Sequence, residues 1–458
     1  MRLEFRGKTG WYTVIFTLSC LLILSLALVN NGYANDDHFT VIELISRFGV
    51  LPKSTQCWQC YHPKLYHFLV AQIWNILGIT SPYFQHITAQ LFSAAAGCAS
   101  IYLFLRFIRP LNFPETTKVV VFAFFALNPR LIAISTQATN DALIIFLGTV
   151  NIYAVLRLFK APSLKYALVV IASLVLGSMA KLNFGVFFIA TLITLTALAI
   201  LHRNYSLSLK KGYLGTALIG FLLSAISFLS FNGYIRDYQE SGKLFTYNTP
   251  TYTLPHLYHL DSDYSPGIRS IYSGYFKFHY FDLLKNPHLS YTGDLRFQHM
   301  HSHFSQLYGR FYFLGFDNWP PQWRADKPVV NAVGRISLAA GIVPTLLLII
   351  GLFLTLRNVF KGWENLKRDE SWVYLLYIAG FLGFSVLFSL MGRTFVFMKA
   401  IYIFPGLLAT IVPFFRGNAA VMMRNPTITR ALYGFYICLF VLYIIPVVNL
   451  IIQLAGKL

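Results

Sequence analysis

Trp11-Tyr12-Thr13-Val14-Ile15-Phe16-Thr17-Leu18-Ser19-Cys20-Leu21-Leu22-Ile23-Leu24-Ser25-Leu26-Ala27-Leu28-Val29 carries no charge from end to end. As helix, such a run is long enough to cross the hydrocarbon core of a bilayer, which takes about 20 residues. Arg2, Arg6 and Lys8 precede it, and Asn30, Asn31, Gly32 and Tyr33 follow where a small-x-small cleavage site would stand. The run therefore reads as an uncleaved signal anchor with its N-terminus in the cytoplasm. Comparable runs recur at 85–107, 118–136, 140–158, 165–181, 183–201, 212–232, 334–356, 372–391, 395–414 and 430–453, about eleven in all. Backbone polar groups find no water in hydrocarbon, so these runs span as helices. The short segments of alternating polarity that a β-barrel would show are not visible. Leu65 to Ile79 is apolar but too short to span, and reads as a helix lying in or dipping into the interface.

Composition agrees. Of 458 residues, 56% are hydrophobic and 12% charged, about half the charged fraction of a soluble domain. The fold class expected is an all-α polytopic integral membrane protein.

Lysine and arginine set the expected orientation. With the N-terminus inside, the cytoplasmic pieces hold Arg106, Arg109 and Lys118; Arg157, Lys160 and Lys165; Arg203, Lys210 and Lys211; Arg357, Lys361, Lys367 and Arg368; and Arg416, Arg424 and Arg430. The outward turn Thr136–Asn140 holds none, as the positive-inside rule requires. The net charge of +20 is thereby assigned to topology and contact with anionic membrane lipids, and no nucleic-acid partner is expected. An N-terminal transmembrane module, 1–232, contains a first outward loop, 30–83. A second outward segment, 233–333, rich in Tyr, Phe and Pro, is expected to hug the membrane surface, and 334–458 supplies the C-terminal transmembrane helices. The membrane is a bacterial inner (plasma) membrane or that of the endoplasmic reticulum.

Only 17 residues are acidic, so their placement is informative. Asp36 and Asp37 follow the first span, and Asp141 opens the fourth at the same face. Carboxylates at a membrane boundary point to a functional site; helix capping is the other reading, above all for Asp141. Lys181 with Asn183, Arg130 in Asn128-Pro129-Arg130, and Arg393 with Lys399 place cations at the outer face. Together they could bind phosphate or pyrophosphate, or singly snorkel to the interface. Cys57 and Cys60 form a C-x-x-C open to a disulfide or a metal pair, and Cys20, Cys98 and Cys438 read as packing residues within spans. His62-Pro63 fixes the start of the interfacial helix. His299 and His303 would share a helical face as a metal pair, or be interfacial histidines among Phe and Tyr. No Walker loop, dinucleotide fingerprint, G-x-S-x-G or H-E-x-x-H is present.

A first span, an outward loop opening on paired acids, and His62-Pro63-Lys64-Leu65-Tyr66 at an interfacial helix resemble the GT-C membrane glycosyltransferases, in the style of protein O-mannosyltransferases and lipid A aminoarabinose transferases. The resemblance covers roughly 11–200, with an echo at Arg393 to Pro405. It implies a GT-C-like bundle that moves a hexosyl or pentosyl group from a polyprenyl (undecaprenyl or dolichyl) phosphate to a glycan, lipid or protein acceptor, usually with inversion. The family's Asp-Glu motif falls on Asp36 and Asp37, Asp37 standing for the usual Glu. Asp36 is the carboxylate expected to act as general base on the acceptor hydroxyl or to orient it. The second acidic residue of the family falls on Asp141. His-Pro-Pro falls on His62 and Pro63, with Lys64 in place of the second proline and itself a phosphate ligand. Lys181 and Arg393 correspond to phosphate-binding cations, with Arg130 and Lys399 as further substrate-binding candidates. The sequence leaves open whether a divalent metal takes part. A transporter or flippase for lipid-linked sugars is the competing reading, against which stand the absence of an internal repeat and the clustering of polar residues at one face. A non-catalytic assembly subunit that kept the fold is a third.

Overall fold

The computed structural model describes residues 8–34, 36–201, 206–243, 268–289, 297–317, 320–323, 328–392, 395–422 and 425–457. Every regular element among them is helical. Among the described residues, nine helices are long and apolar enough to cross a membrane: Gly10–Val29, Pro82–Ile108, Asp141–Lys160, Leu182–Leu201, Leu207–Phe231, Pro328–Val359, Ser371–Met391, Phe404–Met422 and Pro426–Ala455, with Leu164–Ala180 a shorter apolar tenth. The protein is an all-α, multi-pass integral membrane protein.

In chain order the first eleven α-helices are α1 (Lys8–Val29), α2 (Phe39–Phe48), α3 (Leu65–Ile76), α4 (Pro82–Ile108), α5 (Glu115–Ala126), α6 (Pro129–Ile134), α7 (Asp141–Lys160), α8 (Leu164–Ala180), α9 (Gly185–Leu201), α10 (Leu207–Phe231) and α11 (Tyr234–Ser241). α1 packs on α4, α4 on α7, α7 on α8 and α8 on α10. α7 is the central helix, with 78% of its apolar window buried. α10 lies at the periphery and leaves Leu214, Leu218, Phe221, Leu222 and Ile226 exposed. Such a face is costly in water and neutral in lipid, where helices gain nothing by hiding leucine from hydrocarbon. Small residues let two helices cross closely: a Cβ on Gly351 would collide with the Pro413 carbonyl oxygen, and one on Gly417 with that of Leu347.

Three expected spans are interrupted, the run 334–356 by a single residue, Gly341, between Pro328–Ala340 and Ile342–Val359. The run 118–136 is split into α5 and α6, because Pro129 lacks an N–H and drives Asn128 to φ −57°, ψ 121°. The Asn128 side chain then accepts from the N–H groups of Arg130 and Leu131, both at 3.0 Å, and restarts the helix. The run 395–414 begins as three 3-10 turns, Phe395–Met398, Ala400–Tyr402 and Phe404–Gly406, and becomes α-helix only from Leu407. Pro405 lies in the first positions of the turn Phe404–Gly406, where its missing N–H costs nothing, and the helix Leu407–Met422 continues from that turn.

The two long connections meet at one end of the bundle. Lys53 pairs with Glu240 at 2.7 Å, the Lys64 ammonium donates to the Asn232 carbonyl at 2.8 Å, and Trp323 Nε1 donates to Asn30 Oδ1 at 2.7 Å. At the other end the basic residues expected on one side find acids: Lys118 with Glu115 at 2.7 Å, Lys160 with Glu370 at 2.7 Å, and Arg416 with Asp369 at 3.4 Å. Within the second connection, the helix His303–Tyr312 is almost wholly buried, packed on α6 and on the turns at 395–402. Ile271, Tyr272, Phe276 and Phe281 of the same connection stay exposed, apolar enough to lie at a membrane surface.

Candidate active site

The site begins where α1 ends. The chain reverses at Asn31 (φ +48°) and Gly32 (φ +81°). Glycine is required at the second position twice over, since a Cβ there would also stand 2.6 Å from the His86 ring. Asp36, Asp37 and His38 then lead into α2, and they do three different things. Asp37 is exposed and accepts from the Thr40 N–H at 3.2 Å and the Thr40 hydroxyl at 2.6 Å, fixing the start of α2. His38 turns inward, where its Nδ1 lies 2.8 Å from His67 Nε2 and the two rings stack at 5.0 Å. Asp36 remains open to solvent while facing the charges gathered below.

A second arm comes from 57–67. Cys57 and Cys60 are disulfide-bonded, which settles the C-x-x-C in favour of a bridge over a metal pair. The bridge and the turn His62 N–H to Gln59 O at 3.1 Å deliver His62 to a ring separation of 6.3 Å from His38. Lys64 points away from this group. Its ammonium and its N–H are both taken by Asn232, at 2.8 and 2.9 Å, beneath the Tyr234 ring. Burial pushes this lysine down to about 8.

A third arm joins α7 to the break between α8 and α9. Asp141 lies in the first turn of α7, and its carboxylate pairs with the ammonium of Lys181, the extended residue that ends α8. Asn140 Nδ2 donates to the Ala180 carbonyl at 3.1 Å and holds the two ends together. Asp141 follows the N-cap Asn140 and makes no capping bond, so its carboxylate serves Lys181, though a first-turn carboxylate also suits the helix dipole. Lys399, 9% exposed, arrives from the 3-10 segment.

These arms converge electrostatically. Partial enclosure by its neighbours would by itself raise the Asp36 carboxyl, but nearby positive charge, Lys399 first and Lys181 with it, holds it below the usual carboxylate range. Burial lowers His38, and it puts His62 and His67 well below the ordinary histidine value, so all three imidazoles are neutral at pH 7. Burial first, then Asp36 and Asp141, push the Tyr402 phenol up.

The structure thus brings together Asp36, Asp141, Lys181, His62 and Lys399. It gives Asp37, Lys64 and Arg130 other partners, the last in a buried ion pair with Asp317 at 3.1 Å, where Arg310 Nε also lies 3.2 Å from the same carboxylate oxygen. Arg393 lies outside the described residues. Among the described residues no three His, Cys, Asp or Glu side chains converge to hold a metal ion. His299 and His303 go separate ways, the first 3.2 Å from the His288 carbonyl and the second 3.3 Å from the Ser385 hydroxyl. His38, His67 and Tyr402 are the members that sequence reasoning did not single out. The histidines stood next to quoted motifs, but nothing in the spacing announces that residues 29 apart touch.

Beside Lys181 opens a cavity of about 240 Å³ between α8, α9 and α10. Phe184, Phe188, Phe221 and Phe228 form its walls, with Ser178 and Ser224 as polar points.

No protein-family model matches the chain, and no curated protein does. Among solved structures it is similar to the S. cerevisiae protein O-mannosyltransferase Pmt1-Pmt2 complex bound to the sugar donor, with 16% identity over 53% of this chain and 35% of that one, TM-score 0.39. It is similar to the Archaeoglobus fulgidus oligosaccharyltransferase in the apo form, with 13% identity over 97% of this chain and 56% of that one, TM-score 0.47. It is similar also to ArnT from Cupriavidus metallidurans bound to undecaprenyl phosphate, with 14% identity over 90% and 80% of the two chains, TM-score 0.39. The chain spans about a third of the first of these and little more than half of the second. Likeness at this level carries no residue's role from those proteins to this one.

Proposed function

We propose that the protein is a membrane glycosyltransferase that moves a sugar from a polyprenyl-phosphate donor to a glycan, lipid or protein acceptor, on the side facing away from the cytoplasm and with inversion. The observation that carries this reading is one accessible carboxylate, Asp36, within the electrostatic reach of Lys399 and Lys181, with Lys181 also lining an apolar cavity. Inverting transfer needs a base for the acceptor hydroxyl and a positive environment for the departing phosphate. Asp36, kept ionised by its neighbours, takes the hydroxyl proton as the oxygen attacks the anomeric carbon. The bond from that carbon to the phosphate oxygen breaks, and the charge released on polyprenyl phosphate falls to the lysines. Asp141 holds Lys181 in place for that role, and the phenylalanine-walled cavity takes the first isoprene units. Loop 30–83 supplies the reacting groups, the segment 233–333 covers them, and the N-terminus is cytoplasmic.

The test uses purified protein in lipid nanodiscs with radiolabelled polyprenyl-phosphate sugars and a panel of acceptors. Wild type is expected to transfer label to an acceptor, and Asp36→Asn to lose about 10²- to 10⁴-fold in rate with its thermal midpoint unchanged. Label that crosses the bilayer without leaving its lipid would make the protein a transporter. Wild-type rates in Asp36→Asn would remove Asp36 as the base.

A further inference from the structure

A second cavity, of about 370 Å³, opens in the second connection and shares no residue with the Asp36 group or with the cavity beside Lys181. Arg269, Ser273, Lys277, His279, Gln298 and His301 line it, so its wall holds two permanent cations and no acid. Every one of these side chains is polar, whereas the cavity beside Lys181 is walled by phenylalanine. The wall is fixed from behind. The Ser302 hydroxyl donates to the Lys277 carbonyl at 2.6 Å, and the His279 N–H donates to the Ser305 hydroxyl at 2.8 Å. Ser302 and Ser305 are both fully buried at the start of the helix His303–Tyr312, so residues 277–279 rest on the most enclosed part of this connection. His279 Nε2 is buried at this wall with no hydrogen-bond partner, a group that native structures usually answer with a ligand or a water. Asp282 stands 3.9 Å from the other ring nitrogen, outside the lining.

The residues between and beside these are apolar and exposed: Ile271, Tyr272, Phe276, Phe278 and Phe281. One contact ties the two sets together, since the Lys277 ammonium lies over the Tyr272 ring, 5.2 Å from its centroid. A dissolved anion needs only the cations, and a hydrocarbon surface needs only the rings. Aromatic rings and cations side by side match the headgroup layer of a bilayer, where rings settle at the interface and cations meet phosphate. We propose that this cavity binds the phosphate headgroup of an anionic membrane lipid. Arg269 and Lys277 supply the charge, Ser273 and Gln298 supply neutral hydrogen-bonding groups, and the exposed rings lie against the lipid's chains. Occupied in this way, the cavity docks the second connection onto the bilayer. The site is separate from the Asp36 group and does not depend on the transfer reaction.

The experiment needs no enzymatic activity. Full-length protein purified in a neutral detergent is titrated with short-chain phosphatidylglycerol, short-chain phosphatidylcholine or inorganic phosphate, and binding is read by native mass spectrometry. Wild type is expected to prefer phosphatidylglycerol, and equal affinity for the two lipids overturns the proposal. Arg269→Gln and Lys277→Gln should each weaken phosphatidylglycerol binding about fivefold, and the double variant further still. Both side chains are exposed, so thermal midpoints should stay at the wild-type value. Lys285→Gln removes an exposed cation of the same connection that lies outside the cavity, and it should bind as wild type does. A loss in Lys285→Gln equal to that in Lys277→Gln would mean diffuse surface charge and no site. Inorganic phosphate that displaces the lipid at equal concentration would make the ligand a dissolved anion and overturn the lipid assignment. Phosphatidylglycerol preference that depends on Lys277, in a protein that transfers no sugar, would sink the proposed function and leave this site standing.

Discussion

Asp141 with Lys181 and Asp317 with Arg130 are both buried ion pairs at the same end of the bundle, yet they occupy different settings. The first has an accessible carboxylate and a further lysine, Lys399, within electrostatic reach, and its Lys181 lines a cavity. The second is closed: Arg310 is fully buried, Asp317 is 4% exposed, and the carboxylate oxygen is shared between two guanidinium groups. Ionisable groups near a membrane are read as functional by default, and here that default separates. A pair left next to open, convergent charge has something to bind. A pair sealed beneath a helix such as His303–Tyr312 ties α6 to the second connection.

The sharpest way to break this comparison is Asp317→Asn. Removing one partner from a buried pair costs about 3–5 kcal/mol, because it strips charge compensation from both arginines at once. The thermal midpoint of the purified protein should fall sharply, and activity should be lost only in step with folding. A variant that is stable but inactive would make this cluster part of the chemistry.

Lys181→Met probes the other pair. It removes the cation but keeps the length of the side chain, so the donor KM should rise by about tenfold or more, while the thermal midpoint moves less than in Asp317→Asn. Asp141 would then be the uncompensated group, and Asp141→Asn in the same chain should recover stability without recovering KM. An unchanged KM would take Lys181 out of phosphate binding.

Acidification should separate the two connections by stability. Burial holds His299 and His303 of the second connection down to about 4 each, against about 6.5 in an unfolded chain. Their folded values are depressed, so the stability they contribute is complete above about pH 6.5 and is lost as pH falls toward 4. The loss is on the order of 1–3 kcal/mol per group. Thermal midpoints measured from pH 7 to 4 should decline, and His303→Gln should flatten the slope. A slope identical in His303→Gln would mean that histidine is not a source of the decline.

These regions also differ in how far the sequence disclosed them. Hydropathy gave the long spans, because an apolar helix in lipid needs nothing but length. It missed the breaks at Asn128-Pro129 and before Leu407, where one proline acts locally and a window average cannot see it. Asp36, Asp141 and Lys181 were legible together because acids are scarce and a lysine opposite the basic end wants a partner. Lys64 was read as a phosphate ligand, yet the structure gives it Asn232, 168 residues on. The His38–His67 contact depends on α2 packing against α3. Such pairings are tertiary, and neither periodicity nor motif spacing encodes them.

The smallest expected effect lies one residue from the largest. Asp36 and Asp37 are the same side chain at adjacent positions, and the sequence motif treats them as a pair. In the structure Asp37 is exposed and spends both carboxylate oxygens on Thr40, whereas Asp36 has the lysines. Asp37→Ala should therefore cost about 1 kcal/mol, the usual value of a helix-start side chain. Activity should stay within about threefold of wild type, the residual loss coming from a looser α2 and so a less rigid His38. Asp37→Ser, which can still accept from the Thr40 N–H, should recover most of the stability. Thermal midpoint and transfer rate measured together decide the matter. A drop in rate comparable to that of Asp36→Asn, at unchanged stability, would mean that both carboxylates meet the substrate, and that the contrast between them is one of resting geometry alone.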